Sequence, residues 1–190
     1  MHHTLHLVIR YSWWTIAVLW LIAAFTSKRS VQVQSVGSRA VQVILTLAAF
    51  LLVFDADTAI GPLAYQILPQ SLTSSIVGAI LTVAGILFAI GARLYLGRNW
   101  SGTVSVKENH ELIRSGPYAI VRHPIYTGLL IALAGSAIEL GQVRGALGVV
   151  VALIGFKLKS QTEEFFMQQQ FGAEYGRYKG SVRGIIPFVW

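Results

Sequence analysis

Five apolar stretches divide this chain, and its basic residues alternate between them. The stretches run roughly over Tyr11–Thr26, Ala40–Phe54, Ser75–Leu96, Pro124–Leu140 and Gly145–Phe156. A bilayer-spanning helix needs about 20 mostly apolar residues, with about 17–25 tolerated. The second and fifth stretches are short, so each must tilt little or borrow polar residues at its ends. Thirteen of the 15 Lys and Arg residues fall in the first connection (Lys28, Arg29, Arg39), around the third (Arg93, Arg98, Lys107, Arg114, Arg122) or in the tail (Lys157, Lys159, Arg177, Lys179, Arg183). Only Arg10 and Arg144 lie on the other side. Basic loops stay cytosolic, which predicts an N-terminus outside and a C-terminus in the cytosol.

Composition agrees with a bilayer. Charged residues make 12% of the chain, about half the soluble average of ~25%. Residues of the AVILMFWYC set make 54%, and mean hydropathy is +0.61. A soluble domain of this length cannot hide so much apolar surface. The net charge of +7 comes from residues interleaved with apolar runs, so nucleic acid is not an expected partner. The absence of cysteine excludes disulfides, thiolate metal sites and cysteine nucleophiles. His2, His3 and His6 are too loosely placed to make a metal site. Arg10, a short apolar core and Ala23-Ala24 also read as a signal peptide, but Lys28 and Arg29 directly after the run favour a retained helix. The fold expected is all-α and integral to the membrane, a single domain over residues 1–190 of about five transmembrane helices. A cytosolic loop and a C-terminal helix would bind the cofactor.

The long polar stretches, Gly97–His123 and Lys157–Trp190, mark where a water-soluble cofactor can act. The last two spans are joined by Gly141–Arg144 alone and must form an antiparallel hairpin. Pro124 to Leu140 is sixteen steps, about 24 Å at 1.5 Å per residue. The same distance back from Gly145 reaches about Gln161. Glu163 and Glu164 therefore return to the level of Arg122, His123 and Tyr126. The fifth helix is expected to continue past Lys157 through Gln170, with Phe165, Phe166 and Met167 as an apolar stripe. Gly128, Ala132 and Ser136 on one helix, and Gly148 and Ala152 on the next, repeat at spacing four and would let backbones approach closely. Gly116-Pro117-Tyr118 signals a turn. Pro124 suits the first turn of a helix, whose free N–H groups favour an anion.

Together these residues resemble a known family. The run from Glu111 through Arg114-Ser115-Gly116-Pro117-Tyr118 leads to Arg122-His123-Pro124-Ile125-Tyr126-Thr127-Gly128. Glu163-Glu164 follows one hairpin later, then Phe171-Gly172-Ala173-Glu174-Tyr175 and Tyr178. The pattern is similar to the isoprenylcysteine carboxyl methyltransferases and their prokaryotic relatives. Phospholipid N-methyltransferases share the Arg-His-Pro-x-Tyr and Glu-Glu elements. The likeness covers residues 96–187 and leaves helices 1 and 2, within residues 1–74, outside it.

The resemblance implies an S-adenosyl-L-methionine-dependent methyltransferase acting on a lipid-like or small acceptor at a carboxylate O, thiol S or amine N. It implies that His123, Pro124, Tyr126 and Gly128 line the cofactor, with Leu112, Gly116, Pro117 and Tyr118 wrapping it from the loop. Glu163 and Glu164 would meet its cationic groups, Arg122 could meet its carboxylate, and Arg98 and Asn99 could hold the acceptor. Carboxylates and aromatic faces suit a donor carrying ammonium and sulfonium charge.

Plainer readings exist for the same residues. Arg122 with either glutamate makes a structural ion pair, and His123 caps the helix. Tyr175, Tyr178 and Trp190 read as interfacial belt aromatics, and Glu163 four residues after Lys159 is an ordinary helix pair. The alternative functions are an NADPH-dependent membrane reductase of sterol-reductase type and a non-catalytic membrane scaffold.

Overall fold

Each apolar stretch becomes a helix, and polar punctuation sets the ends. The computed structural model describes residues 1–24, 30–97, 105–107 and 112–186. Helix α1 spans His2–Ala24, α2 Val36–Phe54, α3 Leu72–Leu96, α4 Pro124–Leu140 and α5 Val143–Ser181. A short antiparallel ribbon pairs β1 (Ser30–Val33) with β2 (Ser105–Lys107), tying the first connection to the third. Ser35 caps α2 by accepting from the Ser38 N–H, and Ser71 with Ser74 forms a reciprocal capping box on α3. Gly141 ends α4 in the left-handed conformation, φ 68°. Residues 2–22 of α1, all of α2 and all of α3 are long and apolar enough to cross a membrane, and α4 is a shorter apolar helix. The chain is a multi-pass, all-α membrane protein.

The small-residue stripes do bring backbones together, but each serves a different neighbour from its hairpin partner. On α4, Gly128 and Gly135 lie against Gly85 and Gly78 of α3. A Cβ on Gly85 would sit 2.5 Å from the Gly128 carbonyl oxygen, and one on Gly135 2.6 Å from that of Gly78. On α5, Gly148 meets Val53 and Ala49 of α2, and Gly155 meets Leu45. Two close pairs, α3 with α4 and α2 with α5, thus form the bundle. Helix α1 is held to the first pair by a buried polar thread. The Trp13 indole N–H donates to Ser136 Oγ at 2.9 Å, Ser136 lies 3.2 Å from the Thr82 hydroxyl, and that hydroxyl reaches the Ala132 carbonyl at 3.1 Å.

The second pair is pinned by Arg144, which is 6% exposed at the start of α5. Its guanidinium donates to the Asp55 carbonyl at 2.7 Å and the Leu52 carbonyl at 3.2 Å, at the C-terminal end of α2, and to Gln142 Oε1 at 2.6 Å. A cation there satisfies orphan carbonyls and complements the helix dipole. Arg144→Met is expected to cost about 2 kcal/mol by stranding those groups. A thermal melt in detergent checks this, with Arg144→Lys falling between variant and wild type.

Helix α5 runs past the expected end at Gln170. Gly172 breaks it with φ 50° and ψ −125°, and helical turns resume to Ser181. That break redirects residues 173–181 back toward the start of α4.

Candidate functional site

The site is built around a turn, a helix start and the far end of α5. Gly116 takes φ 57° at the head of a 3-10 turn over Gly116–Ala119. Its missing Cβ leaves room for the Tyr95 ring, which would otherwise lie 2.7 Å away. The Tyr95 hydroxyl is 2.7 Å from Ser115 Oγ. Pro117 fits the first turn, and Tyr118 is buried, with its hydroxyl on the Ala92 carbonyl at 3.4 Å. The next residues run alongside the tail. The Arg122 N–H donates to the Arg183 carbonyl at 2.7 Å, the His123 N–H to that of Gly184 at 3.0 Å, and the Thr127 hydroxyl to that of Ile185. Pro124 then opens α4, where its lack of an N–H costs nothing.

The hairpin arithmetic holds in the structure. Arg122 grips Glu164 Oε1 through Nε at 3.0 Å and Nη2 at 2.6 Å. His123 lies between the carboxylates, Nδ1 3.2 Å from Glu163 Oε2 and Nε2 3.1 Å from Glu164 Oε1. The Tyr126 hydroxyl donates to Glu163 Oε1. Lys179 Nζ takes the other Glu164 oxygen at 2.8 Å, while Arg122 Nη1 donates to the Lys179 and Val182 carbonyls. The rings of His123, Tyr126 and Phe156 form a column with centroid spacings of 5.6 and 5.0 Å and interplanar angles of 12° and 5°. Lys159 Nζ stands 5.5 Å from the centre of the Tyr126 ring.

The two glutamates differ. Glu164, 11% exposed, accepts from Arg122, His123 and Lys179. Glu163 is 27% exposed and has the His123 imidazole and the Tyr126 phenol. Burial alone would lower the His123 pKa, but bonds to both carboxylates raise it, and each ring nitrogen faces a carboxylate oxygen, the geometry that suits an imidazolium donating from both. Burial pushes the two carboxyls up, and His123 pulls both down below their ordinary range, with Lys179 and Arg122 adding to the effect at Glu164. Burial pushes the Tyr178 phenol up to about 12, so it remains a donor, and it reaches the Tyr118 carbonyl at 2.7 Å.

These shifts fix a pH window. The carboxylate contribution is complete above the ordinary glutamate pKa of about 4.3 and fades as pH falls through the lowered values. The imidazolium contribution is complete below about 6.5 and fades as pH rises through the raised value. The melting-temperature gap between wild type and His123→Gln should therefore be widest near pH 6 and shrink toward pH 9. A gap that stays constant across that range would show that the ring is not charged.

The structure brings together Arg122, His123, Pro124, Tyr126, Glu163 and Glu164, with Tyr118 one turn away. Leu112 is half-buried at the edge of the described loop, and Arg98 and Asn99 lie outside the described residues, as does Trp190. Gly128 is turned to α3, where a Cβ would meet the Gly85 oxygen at 2.6 Å, so its smallness serves packing rather than a ligand. Tyr175 and Tyr178 are 3% and 6% exposed. They are buried anchors, not belt aromatics, because the break at Gly172 folds them inward. Lys179 and the 182–185 backbone were not foreseen. A carbonyl acceptor leaves no trace in residue identity, and Lys179 sits beyond the expected helix end.

This all-helical, multi-pass bundle shares its fold with a solved intramembrane methyltransferase. The solved structure of the eukaryotic intramembrane Ras methyltransferase, an isoprenylcysteine carboxyl methyltransferase, matches at a TM-score of 0.57 with 24% identity, over 83% of this chain and 55% of that one. The chain belongs to the phospholipid methyltransferase family, whose model matches residues 73–174. Among curated relatives, protein-S-isoprenylcysteine O-methyltransferase A of Arabidopsis thaliana is 32% identical over 115 residues, 59% of this chain and 58% of that protein. The protein-S-isoprenylcysteine O-methyltransferase of Xenopus laevis is 27% identical over 174 residues, 90% of this chain and 59% of that protein. The chain thus spans about three-fifths of the length of these relatives.

Proposed function

We propose that the protein is an S-adenosylmethionine-dependent methyltransferase acting on a lipophilic or small acceptor at the cytosolic membrane boundary. The observation that carries this reading is the meeting of Glu163 and Glu164 with His123 and Tyr126 at the start of α4. The donor set suits the cofactor's cationic groups. Glu163 has the more exposed carboxylate and is the candidate to receive an ammonium, beside aromatic faces. Glu164 and Arg122 are positioning residues, since their bonds to Lys179, His123 and the tail hold α5 against α4. Gly116, Pro117 and Tyr118, with Leu112, form the loop wall. The cofactor when bound supplies a methyl group activated by sulfonium charge. The protein's part is alignment and exclusion of water.

An apolar crevice lined by Trp13, Thr46, Phe50, Leu129, Leu133 and Phe156 lies between α1, α2, α4 and α5. Phe156 stacks on Tyr126, so this small apolar space, of about water size, adjoins the polar cluster. A lipophilic acceptor arriving from the bilayer would part these helices to reach the cluster. Arg98 and Asn99 are carried as its holders on the resemblance alone. The basic connections support a cytosolic position for the site end of the bundle.

Thermal stabilisation of detergent-purified protein tests the reading. Saturating S-adenosylhomocysteine at 100 times its Kd should stabilise by about 2.7 kcal/mol, and NADPH should not. Stabilisation by NADPH alone would select the reductase, and by neither the scaffold.

A further inference from the structure

Arg10 is a charge in an unusual place. It lies within the membrane-span segment of α1, His2–Ile22. Its neighbours fix its depth. His6 Nδ1 is 3.4 Å from Glu139, in the last turn of α4, and Ile16 packs with Ile86, Ala89 and Ala132 in the bundle interior. Arg10 is one turn past His6, about 6 Å further into the apolar layer. Its side chain is exposed, on the flank of α1 beside the inward line of Ile9, Trp13 and Ile16. Among the described residues it makes no hydrogen bond or ion pair, and α1 itself carries no acid.

A lipid-facing guanidinium costs several kcal/mol at mid-membrane unless an anion reaches it or it snorkels to one. Among the described residues none is offered there. Glu139 already faces His6, and Asp55 and Asp57 follow the end of α2, with the Asp55 side chain capping its own turn. Tyr11 and Trp14, next to Arg10 and one turn below it, are 63% and 60% exposed. Amphipathic aromatic rings of this kind favour the interfacial side of a span and offer an O–H and an N–H, and the long Arg10 side chain can reach back toward the headgroups. A planar guanidinium matches a phosphodiester, and Tyr11 and Trp14 add exposed donors on the same stretch of α1.

We propose that Arg10, Tyr11 and Trp14 form a seat for the phosphodiester of an anionic phospholipid, in the leaflet opposite the site. A zwitterionic lipid brings its own cation to the phosphate and competes poorly. A second copy is disfavoured because it would bring Arg10 to Arg10.

The test is native mass spectrometry of the full chain released from nanodiscs of mixed phosphatidylglycerol and phosphatidylcholine. Wild type should retain phosphatidylglycerol preferentially. Arg10→Leu should retain about tenfold less, the value of one charge-assisted contact, and Arg10→Lys an intermediate amount. S-adenosylhomocysteine binding should be unchanged in Arg10→Leu and shows that the variant folds. Equal phosphatidylglycerol retention in wild type and Arg10→Leu would overturn the proposal. So would a wild-type dimer in pure phosphatidylcholine that Arg10→Leu dissolves, which would assign the residue to a protein interface.

Discussion

Glu164→Gln should lower the melting temperature by about 10 °C, whereas Glu163→Gln should lower it little and weaken S-adenosylhomocysteine binding instead. The two residues are adjacent, so the contrast isolates environment from position. Glu164 is held by Arg122, His123 and Lys179. An amide there turns N–H groups toward donors and leaves buried cations uncompensated. Breaking a buried pair costs about 3–5 kcal/mol, and a domain of this size loses about 2–4 °C per kcal/mol. Glu163 keeps fewer internal partners and is more exposed. On the proposed function, losing its charge would remove one charge-assisted bond to the ligand's ammonium, about 1.5–3 kcal/mol or roughly 10–100-fold in Kd. Calorimetric titration and thermal melts of both variants decide it. Equal losses of affinity with no change in melting temperature would reassign Glu164 to ligand binding.

The second large effect concerns packing. Gly85→Ala and Gly128→Ala should each remove more than about 4 kcal/mol, the range reserved for a change the core cannot absorb. The added Cβ would lie 2.5–2.6 Å from a carbonyl oxygen of the opposing helix, and backbone cannot rotate aside as a side chain can. Gly91→Ala, in α3 with Gly85, is the control. Nothing lies within 4 Å of its Cβ position, and alanine is the better helix former by about 1 kcal/mol. The comparison is read by size-exclusion profile and melting temperature. Similar behaviour of all three variants would mean that α3 and α4 are not in close contact.

Much of this architecture was legible in residue order because two signals are local. Apolar run length set the helices, and the four-residue link at Gly141–Arg144 set the hairpin, so counting rises brought Glu163 and Glu164 to His123. Other features were hidden because they depend on which elements become neighbours. The glycine stripe of α4 shows that something approaches closely, but not that α3 rather than α5 does so. Residues 173–186 were opaque for a different reason. Gly172 could end a helix or bend it, and the acceptors for Arg122, His123 and Thr127 are main-chain oxygens that any residue would supply. The tyrosines followed from that error, since a phenol in a tail that leaves the bundle faces water, and one in a tail that returns is buried.

The return of residues 182–185 along 121–123 has a consequence for biogenesis. A ribosome delivers α1 to α4 first, so Arg122 and His123 reach the membrane surface before the acids that compensate them and well before the strand that orders their backbone. The cluster is therefore complete only after that stretch has emerged, and a chain ending before Lys179 would pair Arg122 and His123 with Glu163 and Glu164 but lack the Lys179 cation and the main-chain acceptors at 182–185.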